Sequence, residues 1–547
     1  MTAVEIMVNK YRISLLRMSK LFVFLMGFLR VTAQGVEIGS TEDYALRMLQ
    51  LQGKLDQKYS LMARPFFKER HLAADSIYKL IDDDSVNLKV TRKKLGNKGI
   101  WGVFPLMINS QLNTHHPYGW DQPGFIQTNG FQGFITSGVY TAIGPLSIQL
   151  KPALLYATNA DFEHSNAYGA ATKGNYSKVL PGQSSIRLNA GSVSLGVSTE
   201  NLWWGPGIYN SLLMSSNAPG FPHLTFNTTR PVETPIGSFE WQLVSGKLNE
   251  DTMLLREDKN LTTTYYNPRN YDGSGYSGPY DPSAKWRYFN GLTITYQPKW
   301  IKGLFLGINR VAYAYNDSLL SGTSSFFHSY LPVIFGVFRQ TYSYGLNLPA
   351  GKKRYKQMLS LHARYLFPQA HTEFYAEYGW GDNQYNIRDF VLNTPHATAY
   401  ILGARKIVPL STKNQWLDVQ AELTRLSQPS DYIPRTAGNW YGYQGGYTQQ
   451  SRIIGAGIGP GNNVQTFATT WVHGWKRLGI KLERLQHDPN NYPVYWSDYS
   501  VGFTGQQRFG KWIASSLLQF IQSKNYTWEA GKDRFNFYGT LNLTYVF

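Results

Sequence analysis

Phe535-Asn536-Phe537-Tyr538-Gly539-Thr540-Leu541-Asn542-Leu543-Thr544-Tyr545-Val546-Phe547 closes the chain. Phe535, Phe537, Leu541, Leu543, Tyr545 and Phe547 are apolar, and Asn536, Thr540, Asn542 and Thr544 between them are polar. Side chains alternate faces along a β-strand, so this stretch has one apolar and one polar face. It is also long enough to cross a bilayer as a tilted strand, which takes about 9–11 residues. Two folds use such a segment: a membrane barrel, or the edge of a soluble sandwich. The rest of the chain has to choose.

From about Trp101 onward the same period of two recurs. Leu146, Ile148 and Leu150 alternate with Ser147, Gln149 and Lys151, and Leu359, Leu361 and Ala363 alternate with Ser360, His362 and Arg364. Leu417, Val419 and Ala421 alternate with Asp418, Gln420 and Glu422, and Leu478, Ile480 and Leu482 with Lys481 and Glu483. Full charges of both signs fall on the polar face, including Lys151, Arg287, Arg364, Glu373, Glu377, Asp418, Glu422, Lys481 and Glu483. The apolar face carries almost none. A lysine or arginine facing lipid at the midplane costs roughly 2–4 kcal/mol, so a bilayer selects this one-sidedness. Short links (Gly144-Pro145, Pro298 to Gly303, Leu410 to Asn414) contrast with long inserts at Asn159–Gln183, Leu248–Lys285, Asp317–Lys356 and Ser427–Asn463. Short turns on one rim and long loops on the other is the outer-membrane arrangement. The terminal strand ending in Phe resembles the closing strand and assembly signal of bacterial outer-membrane barrels. The expected fold is therefore all-β and transmembrane: a closed antiparallel barrel of about 16–18 strands, an even number being required of a single-chain barrel.

Composition agrees. The 547 residues include 38 Tyr, 15 Trp and 51 Gly, which suits aromatic girdles and tight turns. No apolar run reaches the length of a spanning helix. The formal charge of +18 admits nucleic acid, lipid phosphate or acidic polysaccharide as partners. For an exported chain nucleic acid falls away. There is no cysteine.

Export is expected from the N-terminus. Lys10, Arg12, Arg17 and Lys20 precede the apolar Leu21–Leu29, and Val31-Thr32-Ala33 resembles a cleavage site. Residues 1–33 read as a signal peptide starting at Met1 or Met18, and 97–547 as the barrel. Residues 34–96 read as a small helical periplasmic region at one barrel mouth. Ser40 and Asp43 form a capping-box-like start, and Tyr44, Met48, Leu51 and Leu55 recur at helical spacing, with Gly53 placed to end the helix early. A second helix is expected over Lys68–Asp82.

One stretch breaks the alternation: Glu200-Asn201-Leu202-Trp203-Trp204-Gly205-Pro206-Gly207, continuing to Asn217-Ala218-Pro219-Gly220-Phe221-Pro222-His223-Leu224. It resembles the capsule-assembly Wzi family. Gln50–Lys54, Arg64-Pro65, Phe374–Tyr378 with Asp382, Pro395-His396-Ala397 and Gly457–Gly461 support the resemblance. It implies an outer-membrane barrel of about eighteen strands with a periplasmic helical part and a largely obstructed lumen. It also implies lectin-like attachment or organisation of capsular polysaccharide rather than catalysis, in a Gram-negative outer membrane with the long loops outside. The partners it implies are outer-membrane lipid and lipopolysaccharide, and capsular or other surface polysaccharide, with the chain a monomer. The competing class is a diffusion or uptake channel.

Trp203 and Trp204 beside a rigid Gly-Pro-Gly turn offer flat faces on which sugar C–H faces stack. They equally suit an interfacial belt or a loop folded into the lumen. Tyr265, Tyr266, Tyr271, Tyr276 and Tyr280 stand among Asn, Gly and Ser, a composition shared with adaptable binding loops. Lys352, Lys353, Arg354 and Lys356 form a basic cluster suited to headgroups or an acidic glycan. No catalytic, cofactor or metal motif holds up. His115 and His116 are adjacent and on a strand would face opposite ways. Glu373 and Glu377 share a strand face, where neighbours such as Arg364 explain them without catalysis.

Overall fold

The computed structural model describes residues 34–68, 81, 92–96, 99–160, 174–251, 286–315, 330–334, 356–381, 388, 398–412, 414–427, 440–441, 447–489, 495–526, 529 and 531–547. The expected signal peptide, residues 69–80 of the expected second helix, Tyr265–Tyr280 and Lys352–Arg354 lie outside the described residues. Lys68, placed at the start of that helix, instead ends a short strand, Phe66–Lys68, paired with Gln34–Val36.

Among the described residues, 18 strands form a closed antiparallel barrel. In chain order they are β1 (Gly99–Asn113), β2 (Gly130–Ile143), β3 (Leu146–Leu150 with Ala153–Ala157), β4 (Tyr176–Leu180 with Ser185–Ala190), β5 (Val193–Ser198) and β6 (His223–Thr228 with Val232–Thr234). Then come β7 (Gly237–Leu248), β8 (Arg287–Pro298), β9 (Leu304–Tyr315), β10 (Lys356–Phe367), β11 (Thr372–Trp380) and β12 (Thr398–Pro409). The last six are β13 (Gln415–Arg425), β14 (Asn463–His473), β15 (Lys476–Gln486), β16 (Ser497–Phe509), β17 (Trp512–Tyr526) and β18 (Lys532–Tyr545). The ring closes where β18 pairs with β1, from Tyr538 opposite Asn113 to Tyr545 opposite Leu106.

Three strands are interrupted, and each break holds a proline: Pro152 in β3, Pro181 in β4 and Pro231 in β6. Proline cannot donate to the ladder, so the pairing lapses and resumes beyond it. The Asn159–Gln183 insert is therefore not all loop, since Tyr176–Leu180 within it pairs with Ala153–Ala157.

The alternation has the expected polarity. Leu478, Ile480 and Leu482 on β15 face outward at 53%, 44% and 45% exposure, while Glu483 on the opposite face is 5% exposed. On β18 Phe535 and Leu541 face outward, and Asn536 and Thr540 are buried. Arginine placed at Ile480, near the middle of β15, should destabilise the barrel by about 2–4 kcal/mol where alanine there costs far less. Urea unfolding in lipid vesicles measures the difference.

A barrel of this strand number leaves an aqueous bore unless something fills it. Here three segments do. Helix α1 (Thr41–Leu51) enters the mouth ringed by short turns. Ser40 Oγ accepts the Asp43 backbone N–H at 3.2 Å, and Asp43 Oδ2 accepts that of Gly39 at 3.0 Å, so the start is capped. The helix ends at Leu51, with Gly53 just beyond it in the left-handed region. Met48 and Leu51 pack on Phe305, Leu366, Ile407 and Val472 of the wall. From the other end, residues 199–222 and the described parts of a second loop, 440–441 and 447–462, fold inward. Trp204, Leu212, Leu213, Met214, Tyr441 and Ile454 join the wall residues Phe289, Val311 and Ile401 in one buried cluster.

Candidate functional site

The inward charges organise the lumen. Glu373 on β11 accepts from Arg47 Nε of α1 at 2.6 Å and from Arg364 Nε of β10 at 2.6 Å. Asp418 on β13 accepts from Arg405 of β12 at 2.8 Å and from the Tyr44 hydroxyl of α1 at 2.5 Å. The helix is thus tied to the wall by charge as well as by apolar contact. Burying ions is expensive unless each is paired and hydrogen-bonded, and these are.

The other carboxylates clamp the loops. Glu422 accepts the backbone N–H groups of Ile208, at 2.7 Å, and Tyr209, and the Tyr375 hydroxyl at 2.9 Å. Glu377 accepts the Leu212 N–H at 3.2 Å and the Ser360 hydroxyl at 2.6 Å. Arg364 does neutralise Glu373, but Glu377 is held by neutral donors from Ser360, Asn309 and the Leu212 backbone instead. Both are committed to holding structure.

Trp204 is fully buried. Its indole N–H donates to Gln242 Oε1 at 2.6 Å, and its backbone N–H donates to the Met214 carbonyl at 3.0 Å. Gly291 on β8 makes room for it, because a Cβ there would lie 2.5 Å from Trp204 Cη2. Trp203 is 3% exposed, and the Arg64 guanidinium lies 4.6 Å over its ring. Of the tandem pair, Trp204 anchors the loop and Trp203 reaches a cavity.

That cavity, of about 440 Å³, lies between α1, the two loops 114–129 and 199–222, and the wall from β13 to β18. Its volume is in the range of small-ligand sites, about 300–1,000 Å³. Tyr118, Trp120, Trp203 and Tyr209 supply aromatic surface, and Gln420, Gln506, Ser515 and Ser516 supply neutral polar groups. Lys481 Nζ pairs with Glu483 at 2.7 Å and lies 5.4 Å from the Trp120 ring centre and 5.5 Å from that of Tyr209. Tyr118 donates its hydroxyl to Glu483 Oε1 at 2.7 Å, and the Trp120 indole donates to the Tyr209 carbonyl at 3.2 Å. Fixed rings beside neutral hydrogen-bonding groups is the chemistry a sugar residue needs: an apolar face to stack on and partners for its hydroxyls.

Sequence reasoning found Trp203 and Lys481 but missed Tyr118, Trp120 and Tyr209. The local signal was available in Tyr118-Gly119-Trp120, which repeats the aromatic-glycine composition of Trp203-Trp204-Gly205. His115 and His116 are corrected too. They lie beyond the end of β1 rather than on a strand, and their Nδ1 atoms meet at 3.0 Å instead of facing opposite ways.

Burial pushes the carboxyl of Asp121, at the cavity edge, up to about 7, against the opposing charge of Arg452. A carboxyl raised in the folded state contributes stability that is complete below its unfolded value and is lost as pH rises through about 7. Asp121→Asn should therefore match the parent chain near about pH 4 and exceed it in stability above about pH 8. Thermal midpoints at the two pH values check this.

The fold and its packed lumen define a class: an outer-membrane β-barrel whose bore is occupied by its own chain. A profile of the capsule assembly protein Wzi family matches residues 124–536, and the chain belongs to that family. Among solved structures the chain is similar to Wzi of Escherichia coli, described as an outer-membrane protein involved in group 1 capsule assembly and as a carbohydrate-binding β-barrel. Identity is 10% and the TM-score 0.59, covering 94% of this chain and 100% of that one. It is also similar to OccAB2 of Acinetobacter baumannii, at 8% identity and a TM-score of 0.40, covering 81% of this chain and 97% of that one. No curated protein sequence matches it.

Proposed function

We propose that this protein is a non-enzymatic component of the outer membrane of a Gram-negative bacterium that binds surface or capsular polysaccharide and takes part in capsule assembly or attachment. The family match over residues 124–536 carries this reading. The aromatic and polar cavity supports it as a place for one or two sugar units, with Trp120, Trp203 and Tyr209 as stacking faces. Tyr265, Tyr266, Tyr271, Tyr276 and Tyr280 are proposed as further glycan contacts on a long loop. In this reading residues 1–33 are removed on export. Residues 34–96 face the periplasm, the long loops face outward among lipopolysaccharide, and the chain works as a monomer. The lumen carboxylates are engaged in clamping α1 and the loops, which supports binding rather than hydrolysis.

The test is genetic. Deleting the gene should leave capsular polysaccharide synthesised but shed into the medium, and undiminished attachment would refute the proposal. The channel alternative rests on the charges of the inward strand faces, and planar-bilayer recording separates the two. A lumen packed by α1 and two loops predicts no stable open conductance, whereas steady open channels would favour transport.

A further inference from the structure

We propose that the short-turn rim is a docking collar for anionic glycerophospholipid headgroups. Along the arc from β8 round to the closing seam, elements carry exposed or half-exposed cations: Lys299 and Lys302 between β8 and β9, Lys406 on β12, Lys476 at the start of β15, Arg508 near the end of β16, and Lys511 between β16 and β17. None of these pairs with a carboxylate among the described residues. Two are held at the rim by other oxygens: Lys406 donates to the Ala370 carbonyl at 3.1 Å, and Arg508 Nε to that of Gly510 at 2.8 Å.

The layering below them is what a headgroup boundary requires. Lys476 lies 5.6 Å from the Trp471 ring centre, Lys511 lies 5.9 Å from that of Tyr545, and Lys93, on the hairpin beside the seam, lies 5.8 Å from that of Trp101. Trp471 pairs with Leu478, Tyr545 falls in phase with Leu541, and Trp101 pairs with Thr141 in phase with Val139, so all three rings share the apolar outer face. From lipid to water the order is aliphatic, aromatic, cation. Aromatic rings settle at the interface, and ammonium and guanidinium groups just beyond them meet phosphates. At the tips of the turns Trp300 and Phe509 are 70% and 61% exposed, apolar surface suited to insertion between headgroups.

Among the described residues of the opposite rim, exposed Lys247 and Lys532 have no carboxylate partner, but several other cations are already paired. There Lys178 pairs with Asp251 at 2.5 Å, Lys524 pairs with Asp533, and Arg534 pairs with Glu529. Cations already neutralised by their own chain have little left for a lipid. The choice of glycerophospholipid over the phosphates of lipopolysaccharide rests on the orientation proposed above, which puts the short turns in the periplasmic leaflet.

The full chain, reconstituted in phosphatidylcholine bilayers with spin-labelled lipid, gives the association of each headgroup from the motionally restricted fraction. Phosphatidylglycerol should be favoured over phosphatidylcholine by about threefold at low salt, falling toward equality near about 1 M salt. The variant carrying Lys299→Glu, Lys302→Glu, Lys476→Glu and Lys511→Glu should lose that preference while keeping the compact, heat-modifiable gel migration of a folded barrel. No preference in the native protein, or one that survives in the folded variant, overturns the proposal. Labelling Gln369→Cys on intact cells with an impermeant reagent reads the orientation separately. Surface labelling would overturn the leaflet assignment while leaving the lipid preference to be judged by its own measurement.

Discussion

Glu373→Ala is expected to destabilise the folded barrel by about 3–5 kcal/mol, the usual consequence of removing one partner from a buried ionic cluster. Glu373 is fully buried and accepts from Arg47 on the helix and Arg364 on the wall. Its loss leaves two guanidinium groups facing each other in a closed lumen. Arg364 retains one donor contact, from Nη1 to the Ser60 carbonyl at 2.7 Å, which satisfies a hydrogen but not the charge. Because Arg47 belongs to α1, repulsion should also loosen the helix from the short-turn mouth. Urea unfolding in vesicles reads the stability, and bilayer recording should show conductance bursts that the native protein lacks. Replacing Arg47, Glu373 and Arg364 together with apolar residues should recover much of the loss, since an uncompensated charge is worse than no charge. A single variant as stable as the parent would mean that the cluster does not hold the plug.

Trp204→Ala should cost about 3–5 kcal/mol as well, through a different mechanism. The ring is fully buried within the lumen cluster and fills the space that Gly291 leaves on β8. Removing it opens a cavity and leaves the Gln242 carbonyl without its indole donor at 2.6 Å. The loop it anchors also carries Trp203 to the 440 Å³ cavity, so ligand retention should fall with stability. Trp120→Ala is the informative contrast. Trp120 is only half-buried, so its loss should weaken retention of a sugar ligand with a smaller change in the unfolding midpoint.

The barrel was legible in the sequence because its determinant is local. One apolar and one polar face per strand, read two residues at a time, identified Leu478, Ile480 and Leu482 as outward and Lys481 and Glu483 as inward, and the structure places them so. The start of α1 was equally local, written in Ser40 and Asp43. Strand number was less legible because Pro152, Pro181 and Pro231 interrupt strands without ending them, which hid Tyr176–Leu180 inside an insert. The filled lumen was not readable from spacing at all. It depends on meetings such as the Tyr447 hydroxyl donating to the Leu213 carbonyl, or Glu377 accepting the Leu212 N–H at 3.2 Å, between residues more than 150 positions apart. For the same reason Trp120, Trp203 and Tyr209 could be recognised one at a time as aromatic, but not as walls of one cavity.

Retention of surface polysaccharide by the purified, detergent-solubilised protein tests the central claim most directly. Immobilised native chain should hold polysaccharide extracted from its own host's surface, and Trp120→Ala should hold about tenfold less while unfolding as a folded barrel does. Native protein that retains none of it, or a folded Trp120→Ala variant that retains it undiminished, would contradict the account.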